Sequence, residues 1–325
     1  MSAPRTAVRI GLDIGGTKIH GVAADAATGA VLAETRTASR RGPGGVVASA
    51  LDIVKRLVDE LPDDTSLLSV GVGVPGAVDA RGVLTNAVNL DVTAPLDLAG
   101  ELTSALSVPV TVNNDVNAAA RGAATWLAGL GEPEDVALLS VGTGLAAGFV
   151  LGGRVRRGAS GLVGEIGHLS VQPDGPRCSC GQNGCLELYA SGSGLARQWP
   201  YDGSVPAPVA LFDAADTGDE AAIAIRSSFI GWLSEAIRIA TLSVDPARVV
   251  LTGGVMRLGD RIMEPLFERL DVDETASPFV ASLRLRERTI ALPPDHPAAA
   301  LGAAELSVGS DRDDTTTEGE SPWRS

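Results

Sequence analysis

With 325 residues, 45% of them hydrophobic and 20% charged, the chain has an ordinary globular composition and enough length for one large domain or two. Its net charge of −14, with no strong cluster of basic residues, argues against nucleic acid as a partner. No apolar run approaches the ~20 residues that span a bilayer, and Met1–Arg5 is not followed by the apolar segment of a secretory signal, so no membrane association and a cytoplasmic location are expected.

The apolar stretch Val8–Ile14 reads as a buried strand, Lys18–Asp25 as a second and Val31–Ser39 as a third, with Gly15-Gly16 turning the first hairpin. Val47, Leu51, Val54, Val58 and Leu61 recur at helical spacing until Pro62 stops them. Leu67–Val74 is a strand; Leu98, Leu102 and Leu106 mark a helix behind Asp97, an N-cap residue; Pro109–Val112 is a strand and Val116–Leu130 an alanine-rich helix. The pattern then restarts. Val136–Val141 is a strand ending in Gly142-Thr143-Gly144, followed by strands at Leu145–Leu151 and Arg154–Arg157. A strand–glycine turn–strand unit therefore occurs twice, and we read an internal repeat of fold. Helices are expected near Ala222–Leu242, Ile262–Leu270 and Ala298–Val308, and strands at Arg248–Leu251 and Ser282–Leu292. From Gly309 the chain is polar and acidic with too little apolar content to fold, which predicts a disordered tail over 309–325.

Several groups of residues carry chemistry. In Asp13-Ile14-Gly15-Gly16-Thr17-Lys18 two glycines permit a tight turn and let backbone N–H groups approach a phosphate, and Asp13 at a strand end can hold a Mg²⁺-bound water. A plain hairpin explains the same residues, and no Walker spacing is present. Gly142-Thr143-Gly144 offers a second such turn; two of them facing across a cleft would grip phosphates from both sides. Gly71-Val72-Gly73-Val74-Pro75-Gly76 matches the dinucleotide fingerprint in letters only, because a turn-like segment and not a helix follows it. Asn113-Asn114-Asp115 ends a strand and opens a helix; these residues are caps on one reading, and on the other Asp115 is placed to take a hydroxyl proton while Asn114 bonds hydroxyls. All three cysteines, Cys178, Cys180 and Cys185, lie within eight residues, downstream of His168. Cys₃His is a tetrahedral zinc set, and with four protein ligands the metal would be structural. Three free core thiols are the alternative. Glu165 and Glu187 flank the set and can accept from sugar hydroxyls. His20 and His296 join no constellation and read as ordinary strand and loop residues.

Taken together, Asp13–Lys18, Gly71–Gly76, Asn114–Asp115, Gly142–Gly148, Glu165–His168, Cys178–Glu187, and Asp245-Pro246 leading to Leu251–Gly254 resemble the ROK family of sugar kinases and sugar-responsive repressors, over about residues 8–308. The resemblance implies an actin/hexokinase-like (ribonuclease H-like) duplicated α/β fold with a cleft between two domains. It puts the small domain at 1–112 plus about 295–308, and a large domain with the zinc loop and dimer surface at 113–294. It implies an ATP-dependent hexose kinase that phosphorylates the 6-hydroxyl, glucose foremost, with N-acetylglucosamine, N-acetylmannosamine, mannose and fructose as alternatives. Asp115 would be the catalytic base. Gly76, Asn89, Asn114, Asp115, Glu165, His168 and Glu187 would meet the sugar. Gly15, Gly16, Thr17 and Lys18 with Asp13, and Gly142, Thr143 and Gly144, would serve ATP and Mg²⁺, Gly253 and Gly254 the adenosine side. His168, Cys178, Cys180 and Cys185 would hold Zn²⁺. A homodimer or homotetramer is expected. Family repressors carry a helix-turn-helix before the first glycine turn; only twelve residues precede Asp13, which favours the enzyme. An actin-type structural protein would need neither the zinc loop nor Asn114-Asp115.

Overall fold

The computed structural model describes residues 6–79 and 81–307. The expected acidic tail, 309–325, and Val308 lie outside the described residues. Strands β1 (Ala7–Ile14), β2 (Lys18–Asp25) and β3 (Val31–Ala38) form an antiparallel meander, with Ile10, Leu12 and Ile14 fully buried. The β1–β2 turn closes through Gly15 N–H donating to the Lys18 carbonyl at 2.9 Å. Helix α1 (Pro43–Asp59) buries Val46, Ala50, Ile53, Val54 and Leu57. Of the five expected stripe residues only Val54 is buried, Val58 is exposed and Leu61 lies beyond the helix, so the helix is as expected but its buried face is rotated by about one residue. It begins with proline, whose missing N–H costs nothing in a first turn. Next come β4 (Ser66–Val74), the short pair β5 (Ala77–Val78) and β6 (Leu84–Asn86), and α2 (Leu98–Leu106), whose cap Asp97 accepts from Gly100 N–H at 2.9 Å. Strand β7 (Val110–Asn114) runs directly into α3 (Asp115–Gly129).

The second half repeats the plan with β8 (Val136–Val141), β9 (Leu145–Leu151) and β10 (Arg154–Val155), then α4 (Gly192–Gln198), α5 (Ala207–Asp216), α6 (Glu220–Val244), β11 (Arg248–Thr252), α7 (Asp260–Ala276), α8 (Pro278–Leu283), α9 (Leu285–Arg288), β12 (Thr289–Ala291) and α10 (Ala298–Leu306). The sheet orders are β3-β2-β1-β4-β7 and β10-β9-β8-β11-β12. In each, the first strand is central, the hairpin lies antiparallel on one side and two strands lie parallel on the other. The repeat read from the two glycine turns is therefore a repeat of topology.

Two helices join the halves. Helix α3 leaves the first sheet yet packs against the second, where a Cβ on Gly148 would sit 2.7 Å from the Val116 carbonyl oxygen. Helix α10 lies on β1 and β4 and against α3. Gly11 and Gly71 make that approach possible, since a Cβ there would fall 1.8 Å from the Ala300 oxygen and 1.7 Å from the Ala303 oxygen. Such distances leave room for hydrogen alone.

Ser282–Leu292 does not form the expected strand. Ser277 caps α8, Pro278 occupies its first turn, and Arg284 in the left-handed region (φ 51°) separates α8 from α9 before the three-residue β12. Leu283, Leu285 and Thr289 still face the core through these short helices, so alternation over a few residues fitted both readings. The Arg154–Arg157 strand shortens to two residues, and α4 and α5 gave no clear periodic signal. Among the described residues no helix is long and apolar enough to cross a membrane.

Candidate active site

The cleft between the halves is organised by the junction of β7 with α3. Asn114 is the N-cap: its Oδ1 accepts from Val116 N–H at 3.0 Å and Asn117 N–H at 3.2 Å, and its Nδ2 donates to the Gly76 carbonyl at 3.2 Å. The cap reading of Asn114 is correct and uses up its oxygen; Asn114 also lines the cavity that opens beside it. Gly76 (φ 107°) ends the strand that the fingerprint-like glycines occupy; a Cβ there would lie 2.0 Å from the Asn86 oxygen, and β5 follows instead of a helix. The dinucleotide fingerprint is thereby excluded.

A cavity of about 350 Å³ opens beside this junction, in the size range of small-molecule sites. Gly76, Asn89, Asn114, Glu165 and His168 line it, five of the expected sugar contacts, and so does Asn117, which sequence reasoning missed. A second cavity, about 210 Å³, holds Asp13, Asp115, Ser140, Thr252 and Gly253. His20 and His296 line it too, which corrects their reading as bystanders. The hairpin register pairs His20 with Asp13, and counting outward from Gly15-Gly16 could have found it. His20 Nε2 lies 2.8 Å from Glu34 Oε1, and burial holds its pKa below the ordinary value.

Burial pushes the Asp13 carboxyl up to about 7, helped by the negative charge of Asp115 and opposed by Lys18. Burial also raises Asp115, backbone N–H groups of Val116 and of Asp115 itself pull it down, and the Glu165 charge adds to the rise. Asp115 Oδ1 accepts from Val116 N–H at 2.9 Å.

The glycine turns stand on opposite halves. Thr17 and Lys18 on one, and Thr143 on the other, are exposed. The 142–144 turn is tied down by Gly142 N–H to the Gly144 carbonyl (3.0 Å), Gly192 N–H to the Gly142 carbonyl (2.8 Å) and Ser193 N–H to the Thr143 carbonyl (3.0 Å). Gly253, at φ 106°, backs onto Val141, so the Gly253-Gly254 bend adjoins this turn. Gly16 packs against the Asn89 backbone, and a Cβ on Gly144 would lie 2.9 Å from Glu187 Oε2. The carboxylate expected at the sugar thus touches the turn expected at the phosphates, although they are far apart in sequence.

Metal-ligating atoms converge beside the larger cavity. One donor atom from each of His168, Cys178, Cys180 and Cys185 lies within 4.8 Å of the others. Cys180 Sγ to Cys185 Sγ is 3.5 Å and Cys178 Sγ to His168 Nδ1 is 3.8 Å. Two sulfurs bound to one tetrahedral zinc at about 2.3 Å stand roughly 3.8 Å apart, so donor chemistry and spacing fit that ion. The Gln182 backbone N–H holds the Cys180 thiol down to about 6, toward the thiolate that ligates. His168 Nδ1 faces the thiols while its Nε2 is 3.8 Å from Glu165; Glu187 Oε1 is 3.7 Å from Nδ1 and 3.3 Å from Cys178 Sγ.

The chain matches the model of the ROK family over residues 9–308. It is 31% identical over 284 residues to the glucokinase of Halalkalibacterium halodurans, covering 81% of this chain and 84% of that one. It is 33% identical over 275 residues to the N-acetyl-D-glucosamine kinase of Salmonella newport, covering 80% and 88%. The structure is similar to that of a ROK family glucokinase from Streptomyces griseus in complex with glucose and AMPPNP, with TM-score 0.71, 29% identity and coverage of 92% and 98%. The duplicated sheets are those of the actin/hexokinase-like fold, and the chain belongs to the ROK family.

Proposed function

We propose that this chain moves the γ-phosphoryl group of ATP to the 6-hydroxyl of a hexose, glucose first. The coarser statement, an ATP-dependent sugar kinase, carries the family membership and the kinase relatives with it. One observation carries the finer reading. Asp115 lines the smaller cavity, Asn114 before it lines the larger one, and Val116 after it lines both, so Asp115 stands in the wall between them. A carboxylate in that wall can take a proton from a hydroxyl held on one side as the hydroxyl attacks phosphorus on the other.

In this reading the sugar lies among Gly76, Asn89, Asn114, Glu165, His168 and Glu187. Backbone N–H groups and hydroxyls of the turns at 15–18 and 142–144 hold the phosphates, and Gly253-Gly254 bounds the adenosine side. Asp13 would hold a water of Mg²⁺, and when bound that ion neutralises charge building on the phosphoryl oxygens. The Asp115 carboxylate, fixed by the Val116 N–H, receives the hydroxyl proton. Zinc in the Cys₃His set would be structural: His168 would meet it through Nδ1 with Nε2 left free for the sugar, and Cys185 would tie to it the short 3₁₀ turn Leu186–Leu188 that carries Glu187. We divide the chain into a small domain, 1–112 with about 295–308, and a large one, 113–294. The family resemblance puts the surface of a homodimer or homotetramer on the large domain. The N-acetylglucosamine kinase relative supports the second reading, a 2-acetamido sugar. A panel of hexoses with MgATP, read by ADP release and by the position of phosphate in the product, tests both. Turnover on glucose with phosphate at O6 is expected, and turnover confined to acetamido sugars selects the second.

A further inference from the structure

The polar groups of the larger cavity differ in what their own fold leaves them. Asn114 has given its oxygen to the first turn of α3 and one N–H to Gly76, so a single N–H remains. Asn86 and Asn89 are exposed, and water satisfies them at no cost. Asn117 is unlike them. It is only 6% exposed and it lines this cavity; among the described residues its buried Oδ1 has no partner and no hydrogen bond to its side chain is formed. An amide left unpaired away from water costs about 1–3 kcal/mol, so the fold retains this one at the expense of its own stability.

Three features fix its position. Asn117 follows Asp115 by two residues in the first turn of α3, its backbone N–H is held by Asn114, and the helix carrying it is clamped to the second sheet at Gly148. The side chain is therefore held in the wall of the larger cavity, two residues along the helix from the proposed proton acceptor. A carboxamide offers a donor pair and an acceptor together, and the group that satisfies both is a hydroxyl, which donates to the oxygen and accepts from the nitrogen. A carboxylate would leave the oxygen unpaired, and a methyl would leave both halves so.

We propose that Asn117 is a specificity-determining contact of the sugar site: its amide binds one ring hydroxyl of the hexose. This rests on the larger cavity being the sugar site. Because the unmet amide is buried, the site discriminates strongly against a sugar lacking that hydroxyl, as any buried polar pair does when its partner is deleted.

The test uses the full chain, with Asn117→Ala and Asn117→Leu as variants and glucose and its monodeoxy analogues as acceptors. For glucose, kcat/KM falls roughly ten- to hundredfold in Asn117→Ala, the loss of one buried hydrogen-bonded pair. For one deoxy analogue, wild type and variant become nearly equal, because the partner is already gone. A fall of the same size on every sugar would mark Asn117 as a packing residue, and no fall would mean that the amide binds trapped water only; either overturns the proposal. Melting gives a readout independent of turnover. Asn117→Leu, which replaces an unpaired amide by an apolar group of similar size, should melt at or above wild type without sugar and lose most of the rise that glucose produces. A lower melting point with an undiminished glucose-induced rise also overturns it. A wild-type protein that phosphorylates no hexose refutes instead the reading on which this rests.

Discussion

Asp115→Asn separates the chemistry from the fold. The replacement keeps the shape and an oxygen able to accept the Val116 N–H that Oδ1 now takes at 2.9 Å, so the start of α3 should persist. What disappears is the proposed proton acceptor. General-base contributions are typically ~10²–10⁴-fold, and kcat should fall by that order with KM for the sugar changing by only a few fold. The same substitution should not weaken the protein. Burial raises the Asp115 pKa above its ordinary 3.8, so between pH 4 and the raised value the folded carboxyl keeps a proton that the unfolded chain has lost. Unfolding free energy therefore drops as pH rises through that window, and the full penalty stands above it. Asparagine has no such penalty. Melting of the ligand-free variant should match wild type near pH 4 and exceed it at pH 8. In wild type, kcat/KM should decline on the acid side at a pH above the usual carboxylate range, since the base must be ionised. Steady-state kinetics and melting at the two pH values check this. Near-normal turnover, or a variant less stable than wild type at pH 8, would refute the reasoning.

The zinc set predicts about one zinc per chain by elemental analysis, and Cys180→Ala should lose it, melt lower and show a raised KM for sugar through displaced His168 and Glu187. A metal-free, fully active preparation contradicts this. Gly142→Val should raise KM for ATP with sugar affinity kept, because a Cβ at that glycine meets nothing within 4 Å, whereas Gly144→Ala should weaken both ligands because its methyl would come 2.9 Å from Glu187 Oε2. Calorimetric titration with a non-hydrolysable ATP analogue and with glucose distinguishes them; unchanged nucleotide affinity in a folded Gly142→Val protein removes that turn from the phosphate site.

Local features were legible in the sequence. The hairpin at Gly15-Gly16, the existence of helix α1 and the gathering of three cysteines all depend on neighbours within one or two turns of chain, and the topological repeat followed from recognising the same unit twice. Which face α1 buries did not follow, because apolar residues sit on adjacent positions (Val46-Val47, Ile53-Val54, Leu57-Val58) and only packing on the sheet chooses between them. Other features depend on how α3 and α10 seat against the sheets. The burial of Asn117 requires the α3–β9 contact at Gly148, and the meeting of Gly144 with Glu187 joins residues more than forty apart. His296 reaches the cleft only because α10 lies across β1 and β4, which Gly11 and Gly71 permit through absent side chains, a signal that hydrophobic periodicity does not register. Residues 278–292 were misread because a strand and two one-turn helices bury the same alternating leucines.

The central claim is phosphoryl transfer from ATP to a hexose 6-hydroxyl. The direct measurement is to incubate the purified protein with MgATP and each of glucose, mannose, fructose, N-acetylglucosamine and N-acetylmannosamine, count ADP against time, and locate the new phosphate by ³¹P-coupled NMR. The account predicts sugar-dependent ADP release with glucose turned over best and phosphate on O6. ADP release that is independent of every sugar, or phosphate on the anomeric oxygen, would contradict it.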